Sequence, residues 1–202
     1  MKFFALSVAA ATLLAPAAMA DPVAYDFDRA HTEVSATWDH NGFSRQTIQF
    51  TDFGGDLMLD FDDPTNSAID ITFNLIGGIW VGAHHERFIG HLNSGDFFET
   101  EVNPTARFVA TSFETEDGMT GVMAGDLTMN GMTHPVSLDV TLNHNGPHPR
   151  DASRQVVGIS ASGTLMRSEW DMGFAVPAVS DEIMLSIEAE MSPIPAETND
   201  DE

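Results

Sequence analysis

Residues 68–75 read Ala68-Ile69-Asp70-Ile71-Thr72-Phe73-Asn74-Leu75. Apolar side chains occupy every second position, with Asp, Thr and Asn between them. Successive side chains of a strand point to opposite faces, so this period of two predicts a strand with one dry face and one wet face. The same pattern spreads outward from here. Toward the N-terminus Leu57, Leu59 and Phe61 alternate with Met58 and Asp60. Gly54-Gly55 breaks the chain before them. Earlier still, Val34, Ala36 and Trp38 alternate with Ser35, Thr37 and Asp39. Asn41-Gly42 is a turn signal, and Ile48 and Phe50 mark the returning strand.

Toward the C-terminus a strand runs from Pro104 through Arg107 to Thr115, and Gly118 turns it. Residues 122–130 and 136–143 form a predicted hairpin around Gly131-Met132-Thr133-His134-Pro135. In its second arm Val136, Leu138, Val140 and Leu142 share a face. A Gly/Pro/His-rich segment over 145–153 predicts a loop. Residues 157–166 alternate again, with small residues on one side, and Ile183, Leu185 and Ile187 stand opposite Met184, Ser186 and Glu188. About eight short strands separated by turn signals predict a sandwich or a barrel. Eight strands closed into a barrel surround a bore that side chains fill or that one small ligand occupies.

One stretch departs from the pattern. Residues 80–98 read WVGAHHERFIGHLNSGDFF, a short helix-compatible run that ends in a turn. It is the expected lid over the β-structure. Its histidines do not make a metal site in this reading: on a helix His84 and His91 lie about 10 Å apart along the axis, and His85 faces elsewhere. His144 and His148 are four apart but fall in the predicted loop. No metal is therefore expected.

The 202 residues suit one domain. Residues 1–20 carry Lys2, an apolar run and Ala18-Met19-Ala20, the signature of an export signal cleaved after Ala20. The expected mature domain covers residues 21–192, and residues 193–202 form an acidic, Pro-rich tail expected to be disordered. No other apolar run approaches membrane-spanning length, so the mature protein is not expected to embed in a membrane. There is no cysteine, so no disulfide staples the fold. The formal charge of −23 becomes −24 when Lys2 leaves, and no lysine remains. Nucleic acid is excluded as a partner, because phosphate binding needs clustered cations. Exposed edges at two strands would allow a homodimer.

Several fragments in order along the chain resemble the YceI family of bacterial periplasmic proteins. They are Tyr25-Asp26-Phe27-Asp28 with His31-Thr32; His40-Asn41-Gly42-Phe43-Ser44; Arg87 with His91-Leu92; Ser94-Gly95-Asp96-Phe97-Phe98 with Pro104 and Phe108; Gly125-Asp126-Leu127-Thr128-Met129-Asn130-Gly131; Pro135-Val136-Ser137-Leu138; and Arg167-Ser168 with Gly173. The resemblance implies an all-β, lipocalin-like antiparallel barrel of about eight strands with one short helical segment over it. It also implies a periplasmic location and a long apolar bore that holds a polyisoprenoid chain such as a quinone tail. Thr32 stands where the family usually has Ser, and Gly90 where it often has Asp.

On that reading the candidate ligand contacts are the inward-phased Trp38, Phe50, Leu59, Ile71, Phe73, Leu138, Val140, Ile159 and Leu185, joined by Phe88, Leu92 and Phe98 of the central stretch. Phe88 and Leu92, four apart on a helix, are the expected stoppers of the bore. His40, Arg87, His91 and Arg167 are the candidate polar contacts for a head group. Arg167 is also expected to pair with a carboxylate such as Asp171 or Asp96, because unpaired burial of a charge is costly. Of the adjacent Phe97 and Phe98, one is expected in the core and one at the mouth. The chain has no G-x-S-x-G elbow, no H-E-x-x-H, no dinucleotide fingerprint and no P-loop. No catalytic residue and no cofactor are expected, only a lipid or isoprenoid quinone as ligand. The competing reading is a ligand-free barrel, its bore packed with side chains, that serves as a stress or protein-interaction module.

Overall fold

The computed structural model describes residues 21–82 and 86–195. Among these, eleven strand segments form one antiparallel sheet. They are β1 (Val23–Phe27), β2 (Glu33–His40), β3 (Ser44–Phe50), β4 (Phe53–Leu59), β5 (Ala68–Asn74), β6 (Ile79–Trp80), β7 (Thr105–Thr115), β8 (Thr120–Met129), β9 (Met132–His148), β10 (Asp151–Met166) and β11 (Glu182–Pro193). Register reduces them to eight staves. β1 pairs with β4 and β11, and β2 pairs with β3 and β11, so β1 and β2 are two halves of one stave. β3 and β4 are halves of the next, and β5 and β6 of a third. Backbone bonds carry the ladder across the breaks: the Thr51 amide donates to the Gly78 carbonyl and the Asn74 amide to the Asp52 carbonyl, each at 2.8 Å. Every stave pairs with its sequence neighbours, and the first and last meet where Phe27 lies opposite Met191 and Val34's stave meets β11 at Ile187. The result is a closed, eight-stranded, up-and-down barrel, which pairs each stave on both sides and leaves free edge only where one strand outruns its neighbour.

The period-two pattern explains the wall. In β5, Ile71 is buried and Ile69 and Phe73 are half-buried, while Thr72 and Asn74 are exposed. On the outer face of the same strand, Arg107 of β7 donates Nε–H to Asp70 Oδ1 at 2.7 Å and a second bond to Oδ2. The inward side chains make two clusters. One, around Trp38, Leu92, Phe108, Leu165 and Met172, lies at the end covered by helix α1 (Glu86–Leu92). The other, around Phe53, Leu57, Ile71, Val157 and Met191, lies toward the opposite end. No helix among the described residues is long and apolar enough to cross a membrane.

Two predicted loops are strand. The β8–β9 hairpin turns on Asn130-Gly131 alone, with φ of 50° and 73°, and Met129 pairs with Met132. Two positive φ values make a turn whose twist matches the flanking strands, so five residues are not needed. Residues 145–148 continue β9, and Pro147 lies opposite Gln155. β8 pairs with β9 only as far as Thr141, so beyond that point one edge of β9 is free and a proline there breaks no ladder. β11 also runs one residue past the predicted domain boundary, through Pro193. The signal segment 1–20 and residues 196–202 of the predicted tail lie outside the described residues.

Candidate functional site

The barrel encloses a cavity of ≈ 710 Å³ that opens to solvent and runs along its length. Its width comes from small inward side chains. Ala36, Ala106, Ala161 and Ala189 are buried and face it. At Gly125 a side chain would run into the Phe108 ring at 2.3 Å, and at Gly163 it would meet Leu138 Cδ2 at 2.8 Å. Glycine at those two points lets the larger inward residues of the next stave lie flat against the wall.

All twelve apolar residues singled out in the sequence line this cavity: Trp38, Phe50, Leu59, Ile71, Phe73, Phe88, Leu92, Phe98, Leu138, Val140, Ile159 and Leu185. Helix α1 carries Phe88 and Leu92 on one face, and the Phe88 and Trp38 rings lie 6.0 Å apart. Beyond the helix the chain folds back on itself: the Phe98 amide donates to the Leu92 carbonyl and the Thr100 amide to the Asn93 carbonyl. This turn buries Phe98 and leaves Phe97 half-buried, and both rings reach the cavity.

Polar groups gather at the two ends of the bore. At the helix end stand His40, Asn41, His91 and Arg167. His91 Nε2 lies 3.3 Å from Asp96 Oδ2, and its ring meets Phe97 and Phe174 edge to face at 4.9 and 5.2 Å. His40 Nε2 lies 3.2 Å from Asn41 Nδ2. The opposite end is rimmed by Asp60, Ser67, Glu114, Thr115 and Thr120. Asp60 is the organiser there. Its carboxylate accepts the Asp62 and Asp63 amides and the Asn66 side-chain amide at 2.9–3.0 Å. The Asp63 amide first, and then Asn66, hold its pKa below the ordinary carboxylate value.

Two of the four polar candidates differ from expectation. Arg87 is exposed and does not line the cavity, because α1 turns it to the solvent side while Phe88 and Leu92 take the inner face. Arg167 is buried, with 4 % exposure, but neither Asp171 nor Asp96 pairs with it. Its guanidinium donates instead to four backbone carbonyls: Nε to Ser180, Nη1 to Met172, and Nη2 to Phe174 and Val179. The connection from Asp171 to Asp181 wraps round the side chain and presents its carbonyls, which satisfy four of the five N–H groups. Burial lowers the Arg167 pKa, with Asp181 opposing. Arg167 is therefore a pin for the rim, with little donor capacity left for a ligand. His84 and His85 lie outside the described residues.

Sequence reasoning missed part of the lining. Phe174, Ala175, Ala178 and Val179 reach the cavity from the irregular connection that Arg167 organises, where there is no period to read. Phe27 and Met191 also line it, and their alternation with Asp26 and Ser192 was a usable signal.

Comparison with known proteins agrees with this architecture. Residues 25–191 match the family model described as a YceI-like domain. A UPF0312 protein of Pseudomonas putida is 33% identical over 189 residues, which cover 93% of this chain and 95% of that one. Among solved structures, Burkholderia cenocepacia BcnA is similar with a TM-score of 0.71 at 20% identity, over 82% of this chain and 99% of that chain. A domain from Saccharophagus degradans described as polyisoprenoid binding is similar with a TM-score of 0.60 at 9% identity, over 85% and 99%.

Proposed function

The chain belongs to the YceI-like domain family, and on that premise we propose that it is an exported carrier that holds one long apolar molecule inside its barrel. The ligand class is a polyisoprenoid, an isoprenoid quinone or a fatty lipid. The location is the periplasm, after cleavage following Ala20. The observation that carries the reading is the cavity of ≈ 710 Å³, apolar along its length and polar only at its ends. Ligand sites are cavities of roughly 300–1,000 Å³ with few polar groups. The polyisoprenoid-binding description of the Saccharophagus degradans domain supports the class of ligand.

Binding on this reading comes from burial. A chain that loses on the order of 400 Å² of apolar surface to the bore gains ~10 kcal/mol at ~25 cal/mol per Å², less the cost of ordering it. A hydrocarbon tail gives no direction, so the end groups choose the orientation. His91 and His40 are the imidazoles that line the helix end, and a quinone carbonyl there would accept from either. The apolar lining offers binding rather than catalysis, and the space left by the side chains weighs against a solidly packed interaction module.

The test is organic extraction of protein purified from the periplasm, followed by mass spectrometry. The expected result is one long-chain lipid or quinone in near-stoichiometric amount. A clean extract together with no uptake of quinone or prenol added to the purified protein would overturn the proposal.

A further inference from the structure

The outer wall of the barrel brings a histidine and two carboxylates together from separate parts of the chain. Register does this. His144 of β9 lies opposite Gly158 of β10, and Gly158 lies opposite Glu190 of β11. The next backbone beyond Glu190 is the connection between β1 and β2. There the Asp28 amide donates to the Glu190 carbonyl at 2.8 Å and the Thr32 hydroxyl to the same oxygen at 3.2 Å. Ala189 and Met191 face the bore, so Glu190 between them faces solvent. Gly158 has no side chain, and a groove of ≈ 370 Å³ lies along this part of the wall, with His31, His144, His148 and Glu190 among its lining.

At one side of that groove, one carboxylate oxygen of Asp28, one of Glu190 and a ring nitrogen of His31 all lie within 4.8 Å of one another. His31 Nδ1 is 2.9 Å from Asp28 Oδ2. We propose that Asp28, His31 and Glu190 form a binding site for a divalent first-row transition ion, with Zn²⁺ the probe ion, water completing the coordination.

The donor set carries the choice of ion. An imidazole suits Zn²⁺ and its neighbours and is a poor ligand for Ca²⁺ or Mg²⁺, which take oxygen. Two carboxylates match the double positive charge. Bonds of ~2.1 Å place neighbouring donors ~3.0–3.4 Å apart around one ion; the Asp28–His31 pair, hydrogen-bonded at 2.9 Å, lies just below that range, so an ion would displace the shared proton and open the pair slightly. An ion drawing Glu190 inward would satisfy all three groups. The chain's excess of carboxylates raises the local concentration of cations at its surface.

The site sits on the closure seam. β11 pairs with β1 at residues 191–193 and with β2 at residues 184–188, and Glu190 lies between the two pairings. An ion there ties the break in the first stave to the last stave, just outside the wall that Phe27, Ala189 and Met191 present to the bore. Its function is a clasp on the barrel. Spacing along the chain could not show it, since Asp28 and Glu190 meet only through closure of the sheet.

The experiment is calorimetric titration of chelator-treated mature protein with Zn²⁺ near neutral pH, paired with thermal unfolding in Zn²⁺ and in chelator. The native protein is expected to show one site well above the background of surface carboxylates and a higher unfolding midpoint in Zn²⁺. His31→Ala and Glu190→Gln are each expected to weaken that site at least tenfold and to remove the Zn²⁺-dependent rise. Glu101→Gln, an exposed acid on a different turn, is expected to leave both within twofold. Each variant is compared with itself in chelator, so any change in its own stability cancels. Identical isotherms for the native protein and a His31→Ala/Glu190→Gln double variant, or weak multiple sites alone, would overturn the proposal.

Discussion

Replacing Ala161 by Phe separates a barrel that holds a ligand from one that is packed solid. Ala161 is buried at 7 % exposure in β10, faces the cavity, and pairs with Val140 on one side and Ile187 on the other. A phenyl ring on this Cβ adds six carbons to the middle of the bore. In a close-packed interior such an insertion forces strain and costs ~1–3 kcal/mol. In a cavity of ≈ 710 Å³ the ring has room, so no loss of stability is expected. A ligand that surrenders about six carbons of contact at ~0.3 kcal/mol per atom loses ~2 kcal/mol, or roughly 20-fold in affinity. Any part of the chain that must pass the constriction is lost as well. Trp38 supplies the assay, because it lines the bore while Trp80 and Trp170 do not, and a quinone quenches a neighbouring indole. The expected outcome, measured on lipid-stripped protein, is an unchanged denaturation midpoint with quenching that needs at least tenfold more quinone. A protein destabilised by 1–3 kcal/mol that still binds as before would refute the reasoning, since the bore would then be core and the ligand elsewhere.

Three further outcomes follow from the same geometry. Phe88→Ala removes the ring that closes the helix end beside Trp38; because Phe88 is only half-buried, retention of a bound lipid should fall by more than the ~1 kcal/mol expected in stability, and equal retention with a large stability loss would make α1 a core element alone. Arg167→Met leaves the carbonyls of Met172, Phe174, Val179 and Ser180 without their donor, so a loss of roughly 3 kcal/mol is expected by calorimetry, and a loss under 1 kcal/mol would mean the rim is not pinned there. Asp60 has a folded pKa below its unfolded value, so its contribution is complete above the ordinary carboxylate range and disappears as pH falls through the lower folded value; the stability of Asp60→Asn should therefore depend less on pH below about 4 than that of the native protein, and identical acid profiles would reject the role.

How much of this was legible in the chain depended on whether a local period existed. Ile69, Ile71 and Phe73 announce their strand because a half-buried strand must alternate. The inward set from Trp38 to Leu185 was readable for the same reason. Phe88 and Leu92 were readable because four residues make one helical turn. Arg167 was misread because the rule that a buried cation wants a carboxylate is only one way to satisfy it: four carbonyls from an irregular connection do the same, and nothing in residues 171–181 has a period that places them. The glycine- and proline-rich segment at 145–148 reads as loop because proline breaks ladders, and it is strand because one edge of β9 has no ladder to break at that point. The closure of β1 on β11 joins residues at the two ends of the domain, and only its consequence, a barrel, is written locally.

If the bore holds a long apolar molecule, as proposed, that molecule also contributes to the stability of the fold. A bore of ≈ 710 Å³ that opens to solvent is wetted by water unless an apolar molecule fills it. Water at such a wall has few polar partners between the two ends of the bore, so on the proposed reading an apolar ligand displaces it and stabilises the folded barrel by mass action. Protein stripped with organic solvent and refolded should accordingly unfold at a lower temperature than protein as purified. Added quinone or prenol should restore the difference in proportion to the logarithm of its concentration. Coincident unfolding of stripped and untreated protein would show that the wall stands without a cargo and that the cavity contributes nothing to holding one.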